Sequence, residues 1–365
     1  MARVYNFSAG PSMLPEKVLK QAQAELVEYG TSGQSIMEMS HRSPEFMAVA
    51  ADTEARIRRV LNVPDNYKVG FFQGGATQQF AMVPLNFMTT GKADYLVTGN
   101  FSNLAAKEAA KFGQVNIVAN SKDKNFTYIP GVHAIEYDKD ASYIHICQNN
   151  TIFGTTFVDV PQVEGIPLVA DMSSCICSKP VDVTQYGCIY FGVQKNIAPA
   201  GMAVAIIRED LLGKSAKGLT PEQIPTMMNY TTILNKDSMY NTPNCWNIYM
   251  TGLVMKYLEE DIGGLANMQK INEAKAKVLY DYLDSQTFFV NPVEHKYRSM
   301  MNVTFTSPNP DMDKKFCAEA AKAGFVNLKG HRLVGGMRAS IYNAMPSEGV
   351  DKLVQFMEDF RKANA

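Results

Sequence analysis

The stretch IYFGVQKNIAPAG, Ile189 to Gly201, is an apolar run that reads as a buried strand and ends on Lys195, set between Gln194 and a loop containing Gly and Pro. A lysine in that place needs a reason. Taking an ammonium out of water is costly unless the group is paired or gives up its proton. Two readings meet here: the aliphatic stem carries the charge out to solvent at the strand end, or the amine sits at the rim of a sheet to hold a cofactor covalently.

Outward from this stretch, short apolar runs alternate with helical patterns from Val69 to Arg208, the mark of strand and helix units around a mostly parallel sheet. The runs KVGFFQ, ADYLVTG, QVNIVA, SYIHICQ, IPLVADMSS, CIYFGVQ and MAVAIIR are the expected strands. ATQQFAMVPLNFM and NLAAKEAAKFG are the clearest helices, the second closing on Gly113 as a C-cap. After Arg208 the pattern breaks, and residues 213–245 form a connection of a length more often functional than idle. A helix is expected from Trp246 to Asp261, then a boundary at the IGG of 262–264. The following helix sets Met268, Ile271, Ala274, Val278 and Tyr282 on one apolar face. SMMNVTFT, a helix around MDKKFCAEAAKAG and a last helix from Pro346 to Lys362 complete a smaller unit. The expected fold class is therefore α/β: a large domain, 15–261, built on a mostly parallel sheet, and a smaller C-terminal α+β domain, 262–365, against which residues 1–14 pack.

Composition bounds the function. Hydrophobic residues make up 46% and charged residues 19%, an ordinary globular balance that argues against disorder and against a coiled coil. The formal net charge of −1 gives nothing global to attract nucleic acid or an anionic membrane, so any basic site is local. The six cysteines (Cys147, Cys175, Cys177, Cys188, Cys245, Cys317) match neither zinc spacing nor a secreted disulfide framework, so reduced thiols and no metal site are expected. The N-terminal MARVYNFSAGPSMLPEK has no apolar signal region, and no run is long enough to span a membrane. A cytoplasmic protein is expected.

Chemistry belongs at the strand ends, where open α/β sheets place their ligands. In FFQGGATQQF a strand gives way to Gly74 and Gly75 before Ala76 and Thr77 open a helix, so backbone N–H groups and a helix dipole can meet a phosphate. Alone, such a Gly-Gly is more often just a tight turn. In PLVADMSS, Asp171 ends an apolar strand, either as an N-cap for the next segment or as the carboxylate that keeps a ring nitrogen protonated. Lys195 ends the next strand. A phosphate cradle, an acid for a ring nitrogen and a strand-end amine together are the parts list for pyridoxal 5'-phosphate, because a desolvated amine can attack the cofactor aldehyde.

With those residues in view, the segments YNFSAGPSMLP, MEMSHRSPEF, QGGATQQFAMVPLN, NNTIFGT, ADMSS, VQKN, NTPN and KGHRLVGGMRASIYNAMP resemble the phosphoserine aminotransferases, in the class V group of fold-type I PLP-dependent transferases, over essentially the whole chain. The resemblance implies that Lys195 bonds the cofactor and Asp171 pairs with its ring nitrogen. It implies that the Ala76 and Thr77 backbone, with Gln194, binds the cofactor phosphate, that Thr151 lies beside the ring, and that Phe101 stands where many relatives stack a tryptophan. Asn241 and Thr242 are implied to reach the phosphate from the neighbouring subunit, making a homodimer. Some relatives carry arginine at the position of Thr77, and here that cation is missing. The phosphate site then relies more heavily on the His-Arg pairs.

The arginine pattern carries a physical argument of its own. His41–Arg42 and His331–Arg332 repeat a pair, and Arg338 follows in GGMRAS. Guanidinium forks match phosphate and carboxylate, and phosphoserine carries one of each. The family assigns Arg338 to the α-carboxylate and the pairs to the phosphate, or to the side-chain carboxylate of glutamate. Any single Arg is more often a solvated surface charge. The expected reaction is ping-pong transamination between glutamate and 3-phosphohydroxypyruvate, in serine biosynthesis, and the sequence leaves open whether the phosphorylated intermediate of pyridoxine synthesis is a further substrate. Another class V transaminase (serine–pyruvate or alanine–glyoxylate type), a cysteine desulfurase and a non-catalytic anion-binding protein stay open as alternatives.

Overall fold

The computed structural model describes residues 3–364. Seven strands form the central sheet: β1 (Tyr67–Gln73), β2 (Lys92–Val97), β3 (Gln114–Asn120), β4 (Ile144–Cys147), β5 (Leu168–Asp171), β6 (Cys188–Gly192) and β7 (Met202–Arg208). Their order is β1-β7-β6-β5-β4-β2-β3, and β7 alone runs antiparallel to its neighbours. All seven expected strands are present. Their near-continuous apolar runs suit a sheet covered on both faces. Helices α1 (Pro44–Leu61), α2 (Ala76–Phe87), α3 (Asn100–Ala109) and α4 (Cys245–Lys256) do the covering. α2 and α3 pack on the face that presents Phe72, Tyr95, Val169 and Tyr190. α1 and α4 pack on the face of Phe71, Ile146, Ala170 and Phe191.

This topology fixes where side chains can converge. β4, β5 and β6 are parallel, and Gln73 at the end of β1 is in register with Met202 at the start of β7. The segments after β1, β4, β5 and β6 therefore all leave the sheet at one rim.

A second set of elements forms its own core: helix α5 (Leu265–Asp284), strand β8 (Asn302–Phe305), helix α6 (Pro310–Lys322), strand β9 (Met337–Ser340), antiparallel to β8, and helix α7 (Ser347–Asn364). At its centre Phe289 is fully buried, with the rings of Phe316, Phe305 and Phe360 at 5.2, 5.8 and 6.3 Å. Phe7 belongs to the same core, and Tyr5–Asn6 pair in parallel with Phe325–Val326.

Two local expectations are overturned. Helix α3 ends at Ala109 with Ala110 as its cap, and Gly113 is not a C-cap. Gly113 is there for close packing, since a Cβ would lie 2.4 Å from the Met88 sulfur and 2.6 Å from the Gly91 carbonyl oxygen. The buried face of α5 is also rotated from the expected one: Ile271 and Val278 are each 37% exposed, while Asn272 and Lys275 are buried with Leu265, Met268, Leu279 and Leu283. Two polar side chains displace apolar ones because they have partners. Lys275 Nζ donates to the carbonyls of Tyr342 (2.5 Å), Met345 (3.0 Å) and Asn343 (3.3 Å), using the three donors an ammonium has. Asn272 Nδ2 donates to Ser178 O and to Asn343 Oδ1.

Replacing Lys275 with Met leaves three carbonyls without a donor. Lys275→Met should cost about 3 kcal/mol in urea unfolding, against less than about 1 kcal/mol for Val278→Ala on the exposed face; equal effects would restore the apolar face read from periodicity.

Candidate functional site

Lys195 comes after β6 in a turn and is half-buried. Its Nζ donates to Thr151 Oγ1 at 2.7 Å and lies 4.7 Å from the centre of the Phe101 ring, in the first turn of α3. The Thr151 carbonyl in turn accepts from Arg338 at 3.1 Å, on β9. Asp171 ends β5, in register with Cys147 and Tyr190. It is 5% exposed. Lys195, Thr151, Phe101, Asp171 and Arg338 thus gather at the sheet rim.

Burial pushes the Lys195 pKa down from its ordinary value; the Asp171 carboxylate opposes that shift and the Arg338 guanidinium adds to it. The thiols of Cys147 and Cys175 are close enough to feel Asp171 and Lys195, but burial pushes both up, Cys147 far and Cys175 to about 12, so neither is a thiolate. Lysine is the nucleophile this rim offers.

At the other end of the rim Gly74, with φ +89°, turns the chain from β1 into α2, where Gly75 is an N-cap without a side chain. The first amides of a helix have no intrahelical acceptor, and here no side chain caps them. A Cβ on Gly192 would meet Gln194 Oε1 at 2.7 Å and the Ala76 nitrogen at 3.2 Å, so the Gln194 amide lies beside this helix start. Gln194 Oε1 is buried without a partner. The helix start at Ala76 and Thr77 and the Gln194 amide thus bring uncapped polar groups side by side.

The remaining candidates divide into two groups. His331 joins Arg338, for burial and then the Arg338 and Arg332 charges push its pKa down. Arg332 is exposed on the same loop. His41 and Arg42 precede α1, capped by Ser43, and Asn241 and Thr242 are held by Gln73 Nε2 at 3.3 and 2.7 Å. Among the described residues no hydrogen bond joins these four to Lys195, Asp171, Thr151 or Gln194, and no carboxylate pairs with Arg42, Arg332 or Arg338.

The N-terminal segment belongs to the site as well, which the sequence pattern does not reveal. Ser12 donates through its amide to Gln194 O at 3.1 Å and through its hydroxyl to Lys195 O. A side chain at Gly10, whose φ is +147°, would press on Lys195 Cγ at 3.2 Å. The Gly-Pro pair at Gly10 and Pro11 signals a turn in the sequence, though nothing in it points to Lys195.

The sequence profile described as Aminotransferase class-V matches residues 4–353. A phosphoserine aminotransferase from Bacillus cereus is 48% identical over 365 residues, covering all of both chains. The solved phosphoserine aminotransferase from Bacillus circulans subsp. alkalophilus superposes with a TM-score of 0.96 at 44% identity, covering 100% of this chain and 99% of that one. The PLP-bound phosphoserine aminotransferase from Trichomonas vaginalis does so with a TM-score of 0.92 at 38% identity, covering 98% and 100%.

The charges around Lys195 fix the sign of two pKa changes. Removing the opposing carboxylate in Asp171→Asn should move the Lys195 pKa further down, and removing the like charge in Arg338→Met should move it up. Competitive acetylation of Lys195 across pH reads both; shifts of the same sign in the two variants would contradict this arrangement.

Proposed function

The chain belongs to the class V aminotransferase family, and from that membership we propose that it is a pyridoxal 5'-phosphate-dependent phosphoserine aminotransferase, moving an amino group from glutamate to 3-phosphohydroxypyruvate. One observation carries the reading: an amine with a lowered pKa and a buried carboxylate stand at the ends of two neighbouring parallel strands. The residues fit the cofactor. The uncapped start of α2, beside the orphaned Gln194 amide, suits its phosphate, and the Phe101 ring beside Lys195 offers a flat face. Bound there, pyridoxal 5'-phosphate supplies an aldehyde that condenses with amines and a protonated ring that accepts the electron pair released at the substrate Cα.

The protein's own contribution is to bind, orient and move protons. Lys195 Nζ, with its proton affinity reduced by burial, takes the proton from the substrate Cα, and Thr151 holds the amine in place. Asp171 holds the proton on the cofactor ring nitrogen. Arg338, half-buried and without a carboxylate partner, holds the substrate α-carboxylate. His331 and Arg332, with His41 and Arg42, hold the far phosphate or the glutamate side chain. Both substrates are anionic at both ends, so one cationic pocket serves each half-reaction in turn, and the kinetics are ping-pong.

The same pocket extends the proposal to the phosphorylated intermediate of pyridoxine synthesis. A homodimer is part of it: among the described residues no hydrogen bond joins His41, Arg42, Asn241 or Thr242 to Lys195, and a second copy would bring them in. The division into 15–261 and 262–365 accords with the separate core around Phe289. No helix among the described residues is long and apolar enough to cross a membrane, and six free cysteines accord with a cytoplasmic enzyme.

Lys195→Ala should lower transamination by at least about a thousandfold and abolish the borohydride-fixed cofactor label on the peptide containing residue 195; a label that persists there or moves to another lysine with activity intact would sink the assignment. Arg42→Ala and Arg332→Ala should each cut kcat/KM for 3-phosphohydroxypyruvate by about tenfold or more while an unphosphorylated oxo acid loses far less. An unchanged preference removes these arginines from the phosphate.

A further inference from the structure

We propose that Ser173 is a positioning residue that aims Asp171 at the cofactor ring nitrogen, an inference that rests on the role given to Asp171 above. Ser173 is 2% exposed, two residues past the end of β5. Its amide donates to Asp171 Oδ1 at 2.9 Å and its hydroxyl donates to the same oxygen at 2.6 Å. The hydroxyl oxygen also accepts the Gly192 N–H at 3.0 Å.

The direction of these bonds is fixed by chemistry. A backbone N–H can only donate, so Ser173 Oγ is the acceptor toward Gly192, and its single proton is left for Asp171. Oδ1 is thereby filled by two donors. Oδ2, which no hydrogen bond claims among the described residues, is the oxygen left to meet a ring N–H. A serine amide bonding a carboxylate two residues back is by itself a common local turn. The bond to Gly192 is what takes Ser173 beyond that turn, because it reaches the neighbouring strand.

Gly192 is also where the acid and the cradle meet. One side of its backbone is held by Ser173, and the space where a side chain would be is filled by the Gln194 amide and the Ala76 nitrogen. Lys195 lies three residues on. Losing the Ser173 hydroxyl would orphan a buried N–H and free the Asp171 carboxylate to turn, while the helix-start amides that form the cradle keep their own places.

The test separates a role toward the ring nitrogen from a merely structural one. Wild-type, Ser173→Ala and Ser173→Thr enzymes are stripped of cofactor and titrated with pyridoxal 5'-phosphate and with its analogue carrying C–H in place of the ring nitrogen. Ser173→Ala should bind pyridoxal 5'-phosphate about tenfold to a hundredfold more weakly, bind the analogue within about threefold of wild type, and be rescued by Ser173→Thr. Equal losses for both ligands, or no loss for either, overturn the proposal. Ser173→Cys, close in size and a weak donor, carries the same comparison if the alanine protein does not fold. If wild type shows no preference for the nitrogenous ring, the role of Asp171 fails and this inference with it; if wild type has the preference and Ser173→Ala keeps it, Ser173 alone is wrong.

Discussion

The Lys195 amine is held by one hydroxyl and one aromatic face, and no carboxylate forms an ion pair with it among the described residues. The rest of the site depends on that restraint. A direct bond to Asp171 would favour the ammonium and cost the amine its nucleophilicity. At the observed arrangement Asp171 is near enough to temper the desolvation of Lys195 and still keeps an oxygen free. Thr151 is suited to the middle position because a neutral hydroxyl accepts a hydrogen bond without fixing the charge of its donor. The same residue's carbonyl accepts from Arg338, so the amine and that guanidinium are held against each other by one residue.

This rim is also fastened to the second core. The segment after β9 reaches Asn196, next to Lys195, through the Asn343 amide at 2.9 Å, and reaches Cys177 through the Asn343 side chain. Lys275 collects three carbonyls of that same segment. The Tyr342 hydroxyl bonds Ala9 O, and from there the chain runs on to Ser12 and the Lys195 carbonyl. A displacement of α5 or of the N-terminal segment therefore has a short covalent and hydrogen-bonded route to Lys195. Burying an ammonium in α5 secures that route: apolar side chains could fill the volume, but only a donor can hold three carbonyls in place.

This construction determines how much the sequence reveals. Lys195, Asp171 and the start of α2 are legible because a parallel sheet sends successive strand ends to one rim, so a run of residues predicts its neighbours there, whereas Thr151 is implied only by the family resemblance. Ser12, Ser173 and Lys275 are not legible as partners of the rim. Ser12 and Lys275 bond backbone carbonyls, which every residue has, across 183 and 67 positions to Lys195 and Tyr342, and Ser173 looks like an ordinary local turn until its bond to Gly192 is seen. The rotated face of α5 escapes the sequence pattern for a related reason. Periodicity counts apolar residues, whereas Asn272 and Lys275 are inside because distant carbonyls accept from their side-chain nitrogens. His41, Arg42, Asn241 and Thr242 are legible as types, but what they approach is not decided within one chain.

The proposed phosphate sites differ in the kind of donor they offer. With Thr77 rather than arginine at the start of α2, the cradle is made of backbone amides, a helix dipole worth roughly half a charge, and the neutral side chain of Gln194. Such donors suit a phosphate that stays bound, because their number and geometry are fixed and nothing must reorganise. The guanidinium groups lie elsewhere, on β9, on the loop before it and ahead of α1. A long-range, pairable charge is better placed where an anion must be captured, turned over and exchanged for another. An arginine in the cradle would compete for the substrate's phosphate as well as the cofactor's. On the proposed assignment, its absence leaves the substrate's two anionic ends to the cations outside the cradle.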